Sequence, residues 1–205
     1  MEKDVISTTS GVMIVSPSWA EDKDKQHNLG NRLHVVMNGF DPETLPKIQP
    51  TDFGHFAIVY AGTFYLPKRI ITPITAAMQK LKERKCPHPV FLHYYGSSPE
   101  HVLEEAERFG VSDQIVIHGR VSRTEVYSAY RGAGTVAVIS TVDAVGSVAD
   151  KGILTGKMYE LIGLQVPFLL VAPQESDIAI VAKNTGLGTR FSGNEIDKIA
   201  DHLME

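Results

Sequence analysis

The sequence predicts an α/β fold in which a doubly wound, Rossmann-like parallel sheet is covered by helices on both faces. Two observations carry this. From Phe56 to the C-terminus, strand-like and helix-like segments alternate six times, the pattern of repeated β–α units. The strand-like segments at 56–60, 135–140 and 167–171 are short, mostly apolar runs, as strands buried on both faces require. At 205 residues the chain can build one good core, or one domain plus a remnant of another.

Taken in order, Val12–Val15 is a short apolar run. Ser16-Pro17-Ser18 then opens a helix from Trp19 to about Asn28, since Pro just inside a Ser-capped start is a helix N-terminal signal. That helix is polar (EDKDKQ) and faces water. Arg32–Met37 is strand-like and stops at Asn38-Gly39, a pair suited to turns. Residues 41–53 contain Pro42, Pro46 and Pro50 with little periodicity and read as a linker.

Beyond it, a strand at 56–60 leads to a helix over 70–84 with Ile71, Ile74, Met78 and Leu81 on one face. A strand over 90–95 precedes a helix over 99–109 with Val102, Leu103 and Ala106 inward. After a strand at 114–118, Ser122 followed by Glu125 marks the start of a helix over 122–131. A strand at 135–140 enters a long Gly-rich loop over 141–156, then a helix over 157–164 and a strand over 167–171. A helix at 176–184, a strand at 187–191 and a helix from Asn194 complete the chain.

Composition sets limits on function. A net charge of −4 argues against a general nucleic-acid binder, which would show a basic face. The single cysteine, Cys86, rules out an intramolecular disulfide and any multi-cysteine metal site. It reads as a loop thiol. No apolar run reaches the ~20 residues needed to span a bilayer, and MEKDVISTTS lacks a signal-peptide core. The expectation is a soluble, cytoplasmic protein.

Six β–α units suggest the strand order 3-2-1-4-5-6, which sets the strand at 56 beside the strand at 135. Ligands of such sheets bind beyond the carboxyl ends of the strands at that reversal. The two loops there are 62–69 and 141–156. Leu154-Thr155-Gly156 opens a helix, so its backbone N–H groups and the positive end of the helix dipole offer an anion site. Lys157 adds a full charge, and Glu160 lies one turn along, suited to a ribose diol. Lys68 and Arg69 bring basic charge from the other loop. Topology and charge therefore converge on one nucleotide-binding crevice.

Two familiar phosphate motifs do not fit. A dinucleotide fold would carry G-x-G-x-x-G after the first strand, where this chain has GTFYLP. Gly152 to Met158 is one residue short of a P-loop and ends in Met.

The run from Asn38 to the end resembles the C-terminal, donor-binding half of a group 1 glycosyltransferase with the two-domain B-type fold. The matching pieces are Asn38-Gly39-Phe40-Asp41, Tyr60-Ala61-Gly62-Thr63-Phe64-Tyr65 and His118-Gly119-Arg120-Val121-Ser122. Lys157-Met158-Tyr159-Glu160-Leu161 with Gly163 and Pro167, and Ser176-Asp177, extend the set, which covers about four fifths of the chain. The resemblance implies residues 38–205 as the donor-binding domain. It implies residues 1–37 as the remnant of an N-terminal domain and its crossover strand. The acceptor (a glycan, lipid or small molecule) would be held mainly by the missing part.

On this resemblance the substrate is a nucleoside-diphosphate sugar, with no cofactor and no metal. Arg69 and Lys157 are the catalytic candidates. Gly62, Thr63, Lys68, Arg120, Val121, Leu154, Thr155, Gly156 and Glu160 are the donor-binding ones. No nucleic-acid partner is implied, and room is left for peripheral membrane contact by the parent protein. A sugar-nucleotide epimerase on the same scaffold and a non-catalytic nucleotide-binding module are the alternatives.

The chain departs from its relatives at two places. Many carry two glutamates separated by seven residues, and the position eight before Glu160 is Gly152. Many carry Arg directly after the first-loop glycine, where this chain has Thr63. The first departure puts the donor-sugar contacts in doubt, and the second leaves the diphosphate to Arg69. His34, His93 and His118 read as core or edge histidines, Tyr94 and Tyr95 as packing, and Trp19 as the residue that packs its helix.

Overall fold

The computed structural model describes residues 2–43, 45, 48–143 and 145–205. Part of the linker (44, 46 and 47) thus lies outside the described residues. Helix α1 (Glu2–Thr8) leads into β1 (Val12–Ile14), α2 (Pro17–His27) and β2 (Leu33–Val35), and β1 and β2 pair in parallel as a small separate sheet. Then come β3 (Phe56–Ala61), α3 (Thr72–Glu83), β4 (Val90–Tyr95), α4 (Glu100–Arg108), β5 (Ile115–Gly119) and α5 (Arg123–Gly132). The second half holds β6 (Thr135–Ile139), α6 (Val148–Lys151), α7 (Gly156–Leu164), β7 (Phe168–Val171), α8 (Asp177–Thr185), β8 (Gly188–Phe191) and α9 (Ile196–Met204).

The main sheet is parallel throughout, in the order β5-β4-β3-β6-β7-β8. This is the doubly wound order expected from the sequence, with its reversal between β3 and β6. Side chains alternate across the sheet because the strand period is two. Ala57, Val59, Val136, Val138, Phe168 and Leu170 join the core beneath α5, α7 and α8. Ile58, Tyr60, Ala137, Ile139, Leu169 and Val171 join the core beneath α3, α4 and α9. Burial on both sides explains why these strands are apolar at nearly every position.

The expected inward faces hold at Ile71, Ile74, Met78 and Leu81, all buried. Leu103 is a correction, being 48% exposed. The one-turn pair Val102 and Ala106 makes the buried stripe, and Leu103 lies about 100° round the helix from Val102. The capping box Ser122/Glu125 is formed at the start of α5. The loop expected over 141–156 contains the short helix α6, fixed by a second capping box between Ser147 and Asp150.

Two contacts fasten the N-terminal segment to the main domain. Ser16 Oγ and Ser18 N donate to Asp177 Oδ2 at 2.7 and 2.9 Å, and Ser18 Oγ donates to Oδ1 at 2.7 Å. Ser16 and Asp177 are both buried. Trp19 Nε1 donates to Ala149 O at 2.9 Å. The linker is also tied down: Thr51 N donates to Ser128 O, Arg131 donates to Ile48 O, and Leu45 and Ile48 are buried.

Candidate functional site

Beyond the carboxyl ends of β3, β4 and β5 lies an open cleft of about 470 Å³. Its walls are the β3 end (Ala61, Gly62, Thr63), the β4 end (Tyr95) and the loop Gly119–Val121. Helix α5 contributes Arg123 and Tyr127, and α7 contributes Lys157 and Glu160. The cleft therefore gathers Gly62, Thr63, Arg120, Val121, Lys157 and Glu160 from the residues singled out in the sequence.

Gly62 shows why a glycine ends β3. Its φ is +131°, a region L side chains rarely adopt, and a Cβ there would stand 2.2 Å from Lys157 Nζ. The lysine occupies the space that a side chain would fill. Its Nζ also lies 4.9 Å from the Tyr60 ring centroid, a cation over a π face. Burial first, and then the charge of Arg69, bring the Lys157 ammonium down to about 8, against an opposing pull from Glu160. A cation held in low-dielectric surroundings beside another cation is a site short of an anion.

Glu160 lies one turn along α7, facing α5. Arg123 Nη2 donates to its Oε1 at 2.8 Å, while Arg123 Nε donates to Tyr127 Oη at 2.5 Å. Arg123 also lies over the Tyr127 ring, 5.0 Å from its centroid. Burial and the Glu160 carboxylate push the Tyr127 hydroxyl up to about 12, so it stays a donor at any physiological pH. The carboxylate is thus oriented by two neighbours on α5, neither of which stood out in the sequence. Their i, i+4 spacing on a well-capped helix was the available signal.

The amino end of α7 is partly closed by its own cap. Thr155 Oγ1 accepts from Lys157 N at 3.2 Å, and Thr155 O accepts from Met158 N at 3.2 Å. The Lys157 and Met158 amides are therefore turned back onto Thr155. Leu154 is buried in the core beneath α5 and α7. Leu154, Thr155 and Gly156 do not line the cleft.

Lys68 and Arg69 line a neighbouring cavity of about 490 Å³ together with Tyr65, Ser140, Asp150 and Ile153. Lys68 Nζ donates to Asp150 Oδ2 at 2.6 Å, so its charge is engaged. Arg69 packs over the Tyr65 ring, 5.1 Å from its centroid, and its Nε donates to Ser140 O at 3.4 Å. Burial alone would raise the Asp150 carboxyl; bonds from Lys68 and Ser147 outweigh it and hold it at about 2.

Gly152, the position at which the resemblance leads one to expect a glutamate, is filled from outside: a Cβ there would lie 2.1 Å from Trp19 Cδ1. His55, His93 and His118 form a hydrogen-bonded chain, with nitrogens 2.8 and 2.9 Å apart, that the sequence did not reveal. Its outer member stacks on Tyr95 of the cleft wall, ring centroids 4.1 Å apart. Burial first, then its two partners, hold His93 down at about 4, so the middle imidazole is neutral at physiological pH. Among the described residues no group of three or more His, Cys, Asp or Glu is arranged to hold a metal ion. No described helix is long and apolar enough to cross a membrane.

No protein-family model and no curated relative matches the sequence. The fold, however, recurs in solved structures. Sucrose-phosphate synthase from Thermosynechococcus elongatus superposes with a TM-score of 0.73 at 15% identity, over 98% of this chain and 49% of that one. The lipopolysaccharide outer core galactosyltransferase WaaB does so with 0.65 at 14%, over 96% and 52%. A TarM variant of S. aureus, solved with Fondaparinux, alpha-GlcNAc-glycerol and UDP, gives 0.64 at 16%, over 99% and 38%. This chain therefore spans about half the length, or less, of the structures it matches. Its fold matches the C-terminal half of two-domain, B-type glycosyltransferases.

Proposed function

We propose that this chain is the donor-binding part of a glycosyltransferase that moves a sugar from a nucleoside-diphosphate sugar to an acceptor. The observation that carries it is the pairing of Lys157 and Glu160 in one cleft at the sheet reversal, a cation pressed against Gly62 and a carboxylate one turn beyond. Glu160 would accept hydrogen bonds from the ribose diol. Gly119, Arg120 and Val121 would border the base, while Gly62 and Thr63 let the backbone approach the donor.

As the bond from the sugar to the diphosphate breaks, negative charge builds on the β-phosphate. Preorganised cations in a low-dielectric site stabilise that charge strongly. Lys157 and Arg69 take this role, without a metal; Arg69 is preferred to Lys68 because the Asp150 carboxylate already answers the Lys68 charge. The acceptor belongs to the other half of the parent protein. Met13, Val36 and Met37 on and beside the small β1–β2 sheet are more than half exposed, an apolar surface suited to packing against that half.

The test is titration of the chain with UDP-, GDP- and ADP-sugars, followed by calorimetry and thermal stability. One base should bind and raise the melting temperature; no response to any of them would remove the reading. The full-length protein should release nucleotide only with acceptor present, and the isolated chain should release none.

A further inference from the structure

We propose that Arg123 sets the cleft's preference for an intact ribose diol, fixing the Glu160 carboxylate with one edge of its guanidinium and offering the other edge to the same hydroxyls. This rests on the donor reading above and adds to it a specificity-determining residue from another helix.

Arg123 is the first residue of α5, directly after the Ser122 cap. A cation there meets the positive end of the helix dipole, so helix stability does not call for arginine at this position. Its side chain lies over the Tyr127 ring and lines the cleft beside Glu160, which comes from α7, 37 residues away.

A guanidinium offers its N–H groups along a side edge and an end edge, in a fixed planar fork. The side edge is spent within the protein: Nε donates to Tyr127 Oη and Nη2 donates to Glu160 Oε1. Burial, and then a hydrogen bond to Glu160, keep the proton on the Tyr127 hydroxyl, so the three groups close a ring. A flexible glutamate side chain is thereby held in one orientation before any ligand arrives, and the ordering entropy is already met. The end edge, Nη1 with the second N–H of Nη2, has no protein partner among the described residues, and the side chain is 66% exposed.

That free edge is what a diol needs. Each ribose hydroxyl is at once a donor and an acceptor. Glu160, a carboxylate, can meet only the donor half; the end edge of Arg123, beside it, meets the acceptor half. Nor is Arg123 one more cation for the phosphates, because Glu160 already answers its charge at 2.8 Å. A lysine could not replace it: a single ammonium has no fork with which to hold Tyr127 and Glu160 while keeping an edge free.

The experiment titrates UDP, GDP and ADP by calorimetry, then compares the one that binds with its 2′,3′-dideoxy analogue. The proteins are the wild-type chain, Arg123→Lys, Tyr127→Phe and Glu160→Gln. Wild type should favour the ribonucleotide at least about tenfold. Arg123→Lys keeps the charge but should cut that ratio about three- to tenfold, weakening the ribonucleotide and leaving the dideoxy analogue unchanged. Tyr127→Phe keeps the ring and should cut it by a smaller factor. A merely structural role would weaken both analogues together and leave the ratio intact. The melting temperature of Arg123→Lys should stay near wild type, since the ion pair is largely exposed. If Arg123→Lys keeps the wild-type ratio while Glu160→Gln flattens it, the proposal falls and the donor reading stands. If Arg123→Lys binds the ribonucleotide more tightly, Arg123 obstructs the site and the proposal falls. If wild type binds none of the three, or binds the ribo and dideoxy forms equally, the donor reading fails and takes this proposal with it.

Discussion

The most direct test of the site is the titration of Lys157. The unliganded ammonium sits at about 8, so about nine tenths of molecules carry its proton at pH 7 and about one tenth at pH 9. An anion bound beside it favours the charged form. Affinity for a donor diphosphate should therefore be nearly flat below pH 7 and fall about tenfold between pH 7 and 9, or roughly 1.4 kcal/mol. Binding at pH 8 should take up about half a proton, because half the lysines are neutral beforehand. Calorimetry in buffers of different ionisation enthalpy reads this uptake directly.

The stability of the free protein should respond with the opposite sign. The folded value lies below the ordinary lysine value of 10.5, so the unfolded chain binds more protons between the two. Lys157 then costs stability at neutral pH, and that cost is relieved as pH rises through 8 towards 10.5. Lys157→Met should accordingly raise the melting temperature at pH 7, weaken nucleotide binding and abolish both the proton uptake and the pH slope. A wild-type affinity that stays level from pH 7 to 9, or a slope that survives in Lys157→Met, would show that this ammonium does not meet the phosphates.

Three further outcomes follow from the same geometry. Glu160→Gln should raise Kd for the ribonucleotide roughly ten- to hundredfold, the 1.5–3 kcal/mol of a hydrogen bond to a charged acceptor, while a 2′-deoxy analogue loses less. Gly152→Glu drives a side chain into the Trp19 indole; at about 1–3 kcal/mol for overpacking and roughly 2–4 °C per kcal/mol, its melting temperature should drop measurably. Adding Trp19→Ala should restore part of it. Asp177→Ala leaves the buried Ser16 hydroxyl and two Ser18 donors without their acceptor, so hydrogen exchange should quicken in α2 while the six-stranded sheet keeps its protection.

The strand order was legible because burial on both faces writes the central strands β3, β6 and β7 as mostly apolar runs, and the alternation with helices leaves few topologies. Lys157 and Glu160 were legible for a simpler reason: three residues apart on one helix, they share a face whatever surrounds them. What escaped was either very short or brought together by tertiary structure. Helix α6 is four residues long inside a loop, and only its Ser147–Asp150 cap betrays it. Arg123 reaches Glu160 from 37 residues away, and His93 and His118 meet because β4 and β5 are neighbours.

Gly152 is the most instructive case, since the sequence shows the missing glutamate but not what stands in its place. Trp19 comes from α2, beyond the linker, and its ring fills the volume a side chain at 152 would need. Its indole N–H donates to Ala149 O, within the same short helix that carries Asp150. The glycine here therefore does not leave a gap. It makes room for an aromatic contact that holds α2 against α6, while Asp150, two residues earlier, keeps a buried carboxylate on the neighbouring cavity wall. Because one indole closes position 152 and clamps α6, the segment before the linker and the proposed donor loop must move together. Loosening Trp19 should disturb the cavity at Asp150 and Ser140 before it disturbs the nucleoside cleft.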